Sequence, residues 1–179
     1  MPAPGREPLD AAKGGMRALE QLEAMIPGFS GYKEKELRRE ADRLLRDALV
    51  SELEETSSAI DDAYGDITSA KIASAYPAMN TAAAMMDRII GRVQSDDYGY
   101  AGFFDAVKVK EAELDSLYAF DKALFDDAAA LSGKVEALEA AVDSGDAKAV
   151  GEKAAELRKA LDALDLKLNK RKSVMMGLA

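Results

Sequence analysis

Two matched apolar stripes, separated by a short break, constrain this chain more than any other feature. Apolar or small residues recur at Leu114, Leu117, Leu124, Ala128, Leu131, Val135, Leu138 and Val142. After Ser144-Gly145-Asp146 the pattern resumes at Val150, Ala154, Leu157, Leu161, Leu164 and Leu168. Spacings of three and four place such residues on one helix face. A break this short turns the second helix back along the first, so the sequence predicts an antiparallel αα-hairpin over 105–175. The seven-residue repeat adds an expectation of left-handed, coiled-coil-like packing.

The remaining segments also read as helices. A first runs over roughly 9–26, with Leu19, Leu22, Met25 and Ile26 apolar, and stops at Pro27-Gly28. Gly14-Gly15 weakens its early part. Ser30 is placed to cap a second helix, which carries Leu37, Ala41, Leu45, Leu49, Leu53, Ile60 and Ala63. Gly65-Asp66 offers a stop, and Pro77 disfavours helix at Tyr76, so 64–77 reads equally as a turn, a kink or continuous helix. A third helix carries Met79, Ala83, Met86, Ile90 and Val93. Beyond a break at 96–102, Asp105 has the position of a cap, with Phe104 and Val109 as a hydrophobic staple. Sustained alternation is absent, so no strand is expected.

Composition narrows the chemistry. The 179 residues include no histidine, cysteine or tryptophan. That removes most routes to metal binding, nucleophilic catalysis and proton transfer near neutral pH. A net charge of −9 opposes general nucleic-acid binding. No apolar run is long enough to span a bilayer, and residues 1–8 read as a flexible tail ahead of a single domain over 9–179. The carboxylate pairs Asp61-Asp62, Asp96-Asp97 and Asp126-Asp127 do not form a metal motif. The expectation is a cytoplasmic, non-enzymatic protein with no cofactor and no metal.

Aromatic residues mark the candidate site. Of eleven, six fall in two glycine-rich breaks: Phe29 and Tyr32 in one, and Tyr98, Tyr100, Phe103 and Phe104 in the other. Tyrosine-rich, glycine-spaced loops suit protein recognition, and aromatic rings also serve to cap a bundle core. In the mixed-charge stretch 32–46, Arg38, Arg39, Arg43 and Arg46 offer an anion-binding alternative to a solvated face, and Asp42 is spaced to pair with Arg46. The basic end of the last helix, Lys170, Arg171, Lys172, Met175 and Met176, offers a second contact set for an anionic surface, although basic residues also suit a helix C-terminus.

The segments Pro27-Gly28-Phe29-Ser30-Gly31-Tyr32-Lys33-Glu34-Lys35-Glu36-Leu37-Arg38-Arg39-Glu40 and Tyr98-Gly99-Tyr100-Ala101-Gly102-Phe103-Phe104-Asp105-Ala106-Val107 resemble signatures of an uncharacterised family of small helical prokaryotic proteins. The resemblance covers about residues 27–175. It implies a helical bacterial or archaeal protein and carries no activity, cofactor or site with it.

The sequence thus predicts an all-α, elongated up-and-down four-helix bundle with coiled-coil-like packing and an extra short N-terminal helix. The expected function is interaction or scaffolding, with Phe29, Tyr32, Tyr98, Tyr100, Phe103 and Phe104 contacting a protein partner. The alternative is a peripheral membrane-associated or self-assembling homo-oligomeric coiled coil acting through its C-terminal helix. A carboxylate-based enzyme or metal-binding protein is the third class.

Overall fold

A computed structural model describes residues 7–95 and 100–177, with side chains from Lys13 onward. Among the described residues the elements are all helical. They are α1 (Glu7–Met25), α2 (Arg38–Ser69), α3 (Tyr76–Ser95), α4 (Ala101–Asp105), α5 (Glu111–Ser144) and α6 (Ala147–Gly177). One-turn 3-10 segments, Lys35–Leu37 and Ala73–Ala75, lead into α2 and α3. No helix is long and apolar enough to cross a membrane among the described residues. The chain groups into two compact units. Unit 1 comprises Met1–Ala48, Asp96–Phe125 and Leu168–Ala179, and unit 2 comprises Leu49–Ser95 and Asp126–Lys167.

Unit 2 follows the apolar periodicity closely. Its four helical segments bury Leu49, Leu53, Ile60 and Ile67 from α2, Met79, Met86 and Ile89 from α3, Leu131, Val135 and Leu138 from α5, and Leu157, Leu161 and Leu164 from α6. Polar contacts join neighbouring segments in a closed ring. The Tyr64 hydroxyl of α2 donates to Asn80 of α3 at 2.7 Å. Arg92 of α3 pairs with Asp165 of α6 at 2.9 Å. Lys167 of α6 pairs with Asp127 of α5, and the Thr56 and Ser132 hydroxyls link α2 to α5 at 3.1 Å. The α5–α6 turn is Gly145-Asp146. Gly145 adopts φ +72°, and the Asp146 carboxylate accepts the N–H groups of Lys148 and Ala149, capping α6.

The ambiguous stretch 64–77 resolves as a turn, placed later than the glycine indicated. Gly65 lies within α2, which continues to Ser69. The stop is made by Lys71 in the left-handed region at φ 57°. Its N–H donates to the Thr68 carbonyl at 3.0 Å, and the Ile72 N–H reaches back to Ile67 at 3.1 Å. This is the Schellman pairing, built here without glycine. Pro77 falls in the first turn of α3, where its missing N–H leaves no helical bond unmade.

Unit 1 departs further from the sequence expectation. The Ser30 cap is not used, because α2 begins at Arg38 after the 3-10 turn. Asp105 ends the short α4 instead of capping α5, so the Phe104–Val109 staple does not form around it. The chain is extended at Ala106, and α5 starts at Glu111, with the Glu113 carboxylate accepting the Lys110 N–H at 2.9 Å. Helix α1 begins at Glu7, inside the expected tail, whose first six residues lie outside those described. Gly15, expected only to weaken α1, lets it approach α5. A Cβ at that position would lie 2.6 Å from the Asp115 Cα.

Candidate functional site

The turn between α1 and α2 places Tyr32 at the centre of unit 1. Gly28 and Gly31 adopt φ +82° and +80°, conformations that side chains resist. At Gly31 space is restricted as well, since a Cβ would lie 2.6 Å from the Tyr118 hydroxyl oxygen. That hydroxyl accepts the Tyr32 N–H at 2.9 Å, and the two rings stack with centroids 5.8 Å apart. Phe29 and Phe103 meet the Tyr32 ring edge to face at 5.5 and 5.6 Å.

Around this ring lies a chain of buried charges. The Tyr32 hydroxyl donates to Asp121 Oδ2 at 2.9 Å. Arg171, near the end of α6, grips the same carboxylate through Nε at 2.7 Å and Nη2 at 3.3 Å, and donates to the Tyr32 oxygen at 3.1 Å. Its Nη1 lies 2.9 Å from Asp42 Oδ1, and the other Asp42 oxygen accepts from Arg46 Nε at 2.8 Å. Two guanidiniums thus alternate with two carboxylates. Arg38, one helical turn before Asp42, bonds instead to backbone carbonyls of Tyr32, Phe103 and Ala106 at 2.8, 3.1 and 2.7 Å. It thereby ties α4 and the segment after it to the Tyr32 turn.

Burial governs the protonation of these groups. It raises Tyr32 well above the ordinary tyrosine value, with the Asp121 charge adding to the effect. Desolvation also lifts Asp121, opposed by Arg171, and lifts Tyr118. Arg171 is held well above its usual value by Asp121, Tyr32 and Asp42, against the opposing pull of its own burial. All members of the network are buried, Arg46 being the most exposed at 7%, and the arrangement is a mutually neutralising clamp.

The expected contact residues are therefore largely interior. Phe29, Tyr32, Tyr100, Phe103 and Phe104 are all buried, so their rings pack against one another and do not form an exposed surface. Tyr98 lies outside the described residues, as do Asp96 and Asp97. In the C-terminal set, Arg171 and Met175 are buried, which removes them from any anionic-surface contact. Lys170, Lys172 and Met176 stay exposed. The arginine set divides too. Arg38 and Arg46 are buried, Arg43 pairs with Glu40 and Asp47, and Arg39 lies over the Phe104 ring at 4.7 Å.

Sequence reasoning missed Asp42, Asp121 and Tyr118 as interior groups. A signal for the two aspartates was present in the spacing. Asp121 occupies the skipped step between Leu117 and Leu124, and Arg38 and Asp42 precede Leu45 and Leu49 on one stripe. Arg171 and Met175 likewise continue the stripe past Leu168. A charge in register with a buried stripe is a candidate for a buried pair.

Unit 1 also contains a cavity of about 320 Å³, lined by Met16 and Leu19 of α1, Ser30 and Lys33 of the turn, and Val109, Glu111, Leu114, Asp115 and Tyr118. Among the described residues no group of three or more carboxylates is arranged to hold a metal ion. Comparison with known protein families, curated proteins and solved structures finds no match.

Proposed function

We propose that this protein is a non-enzymatic interaction protein that binds a protein partner through unit 1, with unit 2 as a four-helix-bundle scaffold. The observation that carries the reading is the distribution of exposed apolar side chains. Six large ones stand exposed among the described residues, and five of them, Met16, Met25, Leu37, Val107 and Met176, belong to unit 1. Only Leu166 belongs to unit 2. Val107 is 79% exposed, in the irregular segment between α4 and α5. Unit 1 therefore offers more apolar surface for association than unit 2. The buried aromatic cluster and the charge clamp give unit 1 rigidity, a role different from direct contact.

The test is quantitative affinity capture with the intact chain, a Met25→Gln/Leu37→Gln/Val107→Thr variant and a Leu166→Gln control. The expected outcome is at least a tenfold loss of one captured protein in the triple variant, with no loss in the control and matching melting curves. Equal capture by all three proteins rejects the reading. Capture of nothing but further copies of the chain, equally in all three, favours the self-assembling alternative.

A further inference from the structure

We infer that the cavity of unit 1 binds a small organic ammonium ion with an apolar body. Its walls are apolar side chains: Met16 and Leu19 from α1, Val109 and Leu114 from the α5 side, and part of Tyr118. Its charged groups are Glu111, Asp115 and Lys33. Glu111 and Asp115 are one helical turn apart on α5, a spacing at which like charges repel. No hydrogen bond or ion pair ties the side chain of Glu111, Asp115 or Lys33 to another described side chain. Burial raises the Asp115 carboxyl above the ordinary range, and the Glu111 charge raises it further. The cavity therefore combines an apolar wall with two carboxylates set against one ammonium, that of Lys33.

That combination selects the ligand class. An ammonium group between the two carboxylates relieves their repulsion, and an attached hydrocarbon covers the apolar wall. A carboxylate ligand meets two like charges for one opposite charge. A neutral ligand leaves the repulsion in place. The volume of about 320 Å³ lies at the small end of organic-ligand sites, which suits a compact ligand. The partner surface proposed above shares only Met16 with this site. Either reading can therefore fail while the other stands.

Three probes with one hydrocarbon chain separate the alternatives: n-hexylamine, 1-hexanol and hexanoate, titrated at pH 7.5 against the full-length chain and followed by amide chemical shifts. The expected result is saturable binding of hexylamine, with shifts at Val109, Asp115 and Tyr118 and affinity at least tenfold above hexanol. Glu111→Gln/Asp115→Asn should weaken hexylamine binding at least tenfold, while Leu166→Gln leaves it unchanged. If the double variant melts early, Glu111→Gln alone carries the comparison, because Glu111 is exposed. Hexanoate or hexanol binding as tightly as hexylamine overturns the assignment. So does binding untouched by the carboxylate substitutions, or no saturable shift with any probe.

Discussion

The two units solve the same packing problem by different means. Unit 2 buries aliphatic stripes and keeps its buried polar content to Thr56. Unit 1 buries Arg38, Asp42, Arg46, Asp121 and Arg171 among aromatic rings. Aliphatic packing is non-directional, so regular helices with a good stripe suffice in unit 2. Unit 1 joins helical ends to the irregular segments between α1 and α2 and between α4 and α5, and it places charged residues in register with its apolar stripes. There, directional bonds from Arg38, Tyr32 and Arg171 define which segment lies beside which. The difference shows where this chain relies on pattern and where it relies on particular atoms.

The comparison breaks most visibly at Arg171. Arg171→Met leaves Asp121 and Asp42 buried without their shared cation, and breaking such a pair costs on the order of 3–5 kcal/mol. The matching change in unit 2, Thr56→Val, removes the hydroxyl's contacts with Ser132 and the Glu52 carbonyl and should cost only about 1–2 kcal/mol. Urea unfolding of both variants measures the contrast. Similar losses would mean that the clamp contributes no more than one buried hydroxyl.

Alkaline pH should act on unit 1 through its tyrosines. The pKa values of Tyr32 and Tyr118 are raised in the folded state above the ordinary value of 10.0. Above pH 10 the unfolded chain releases these protons while the folded chain retains them. Stability from these groups is therefore complete below that pH and is lost as pH rises through the folded values. The slope approaches about 1.4 kcal/mol per pH unit for each tyrosine. Denaturation midpoints between pH 8 and 11 should fall less steeply in Tyr32→Phe than in the native chain, and equal slopes would refute the assignment.

The smallest effect is expected in unit 2. Lys71→Gly should raise stability by about 1 kcal/mol, because glycine relieves the left-handed strain at φ 57°. Loss of stability on this change would show that the lysine side chain contributes something its backbone position does not reveal.

Much of the architecture was legible in the residues. The α5–α6 turn followed from stripes interrupted by Ser144-Gly145-Asp146, and the Asp42–Arg46 pair followed from its spacing. Gly65 misled because a helix tolerates a glycine where packing on both sides continues, at a cost of about 1 kcal/mol. Lys71 was invisible as a stop because nothing in lysine announces a left-handed conformation. The aromatic break at 27–32 was correctly located, whereas Phe103 and Phe104 lie within α4, and the rings of both sets were assigned to a surface. Composition identifies rings gathered in loops without saying which side of the loop they occupy.

By itself the sequence determined the helical class, the apolar faces and the principal hairpin, because these depend on local spacing along one chain. Tertiary structure alone decided that Tyr32, Asp121, Arg171 and Asp42 meet. Tyr32 and Arg171 are 139 positions apart, and no local rule links them. Tertiary structure also decided that Arg171 and Met175 point inward while Lys170, Lys172 and Met176 stay outside. Whether a charge is buried depends on finding a partner within hydrogen-bond distance, and for Arg171 those partners, Asp42 and Asp121, come from different helices.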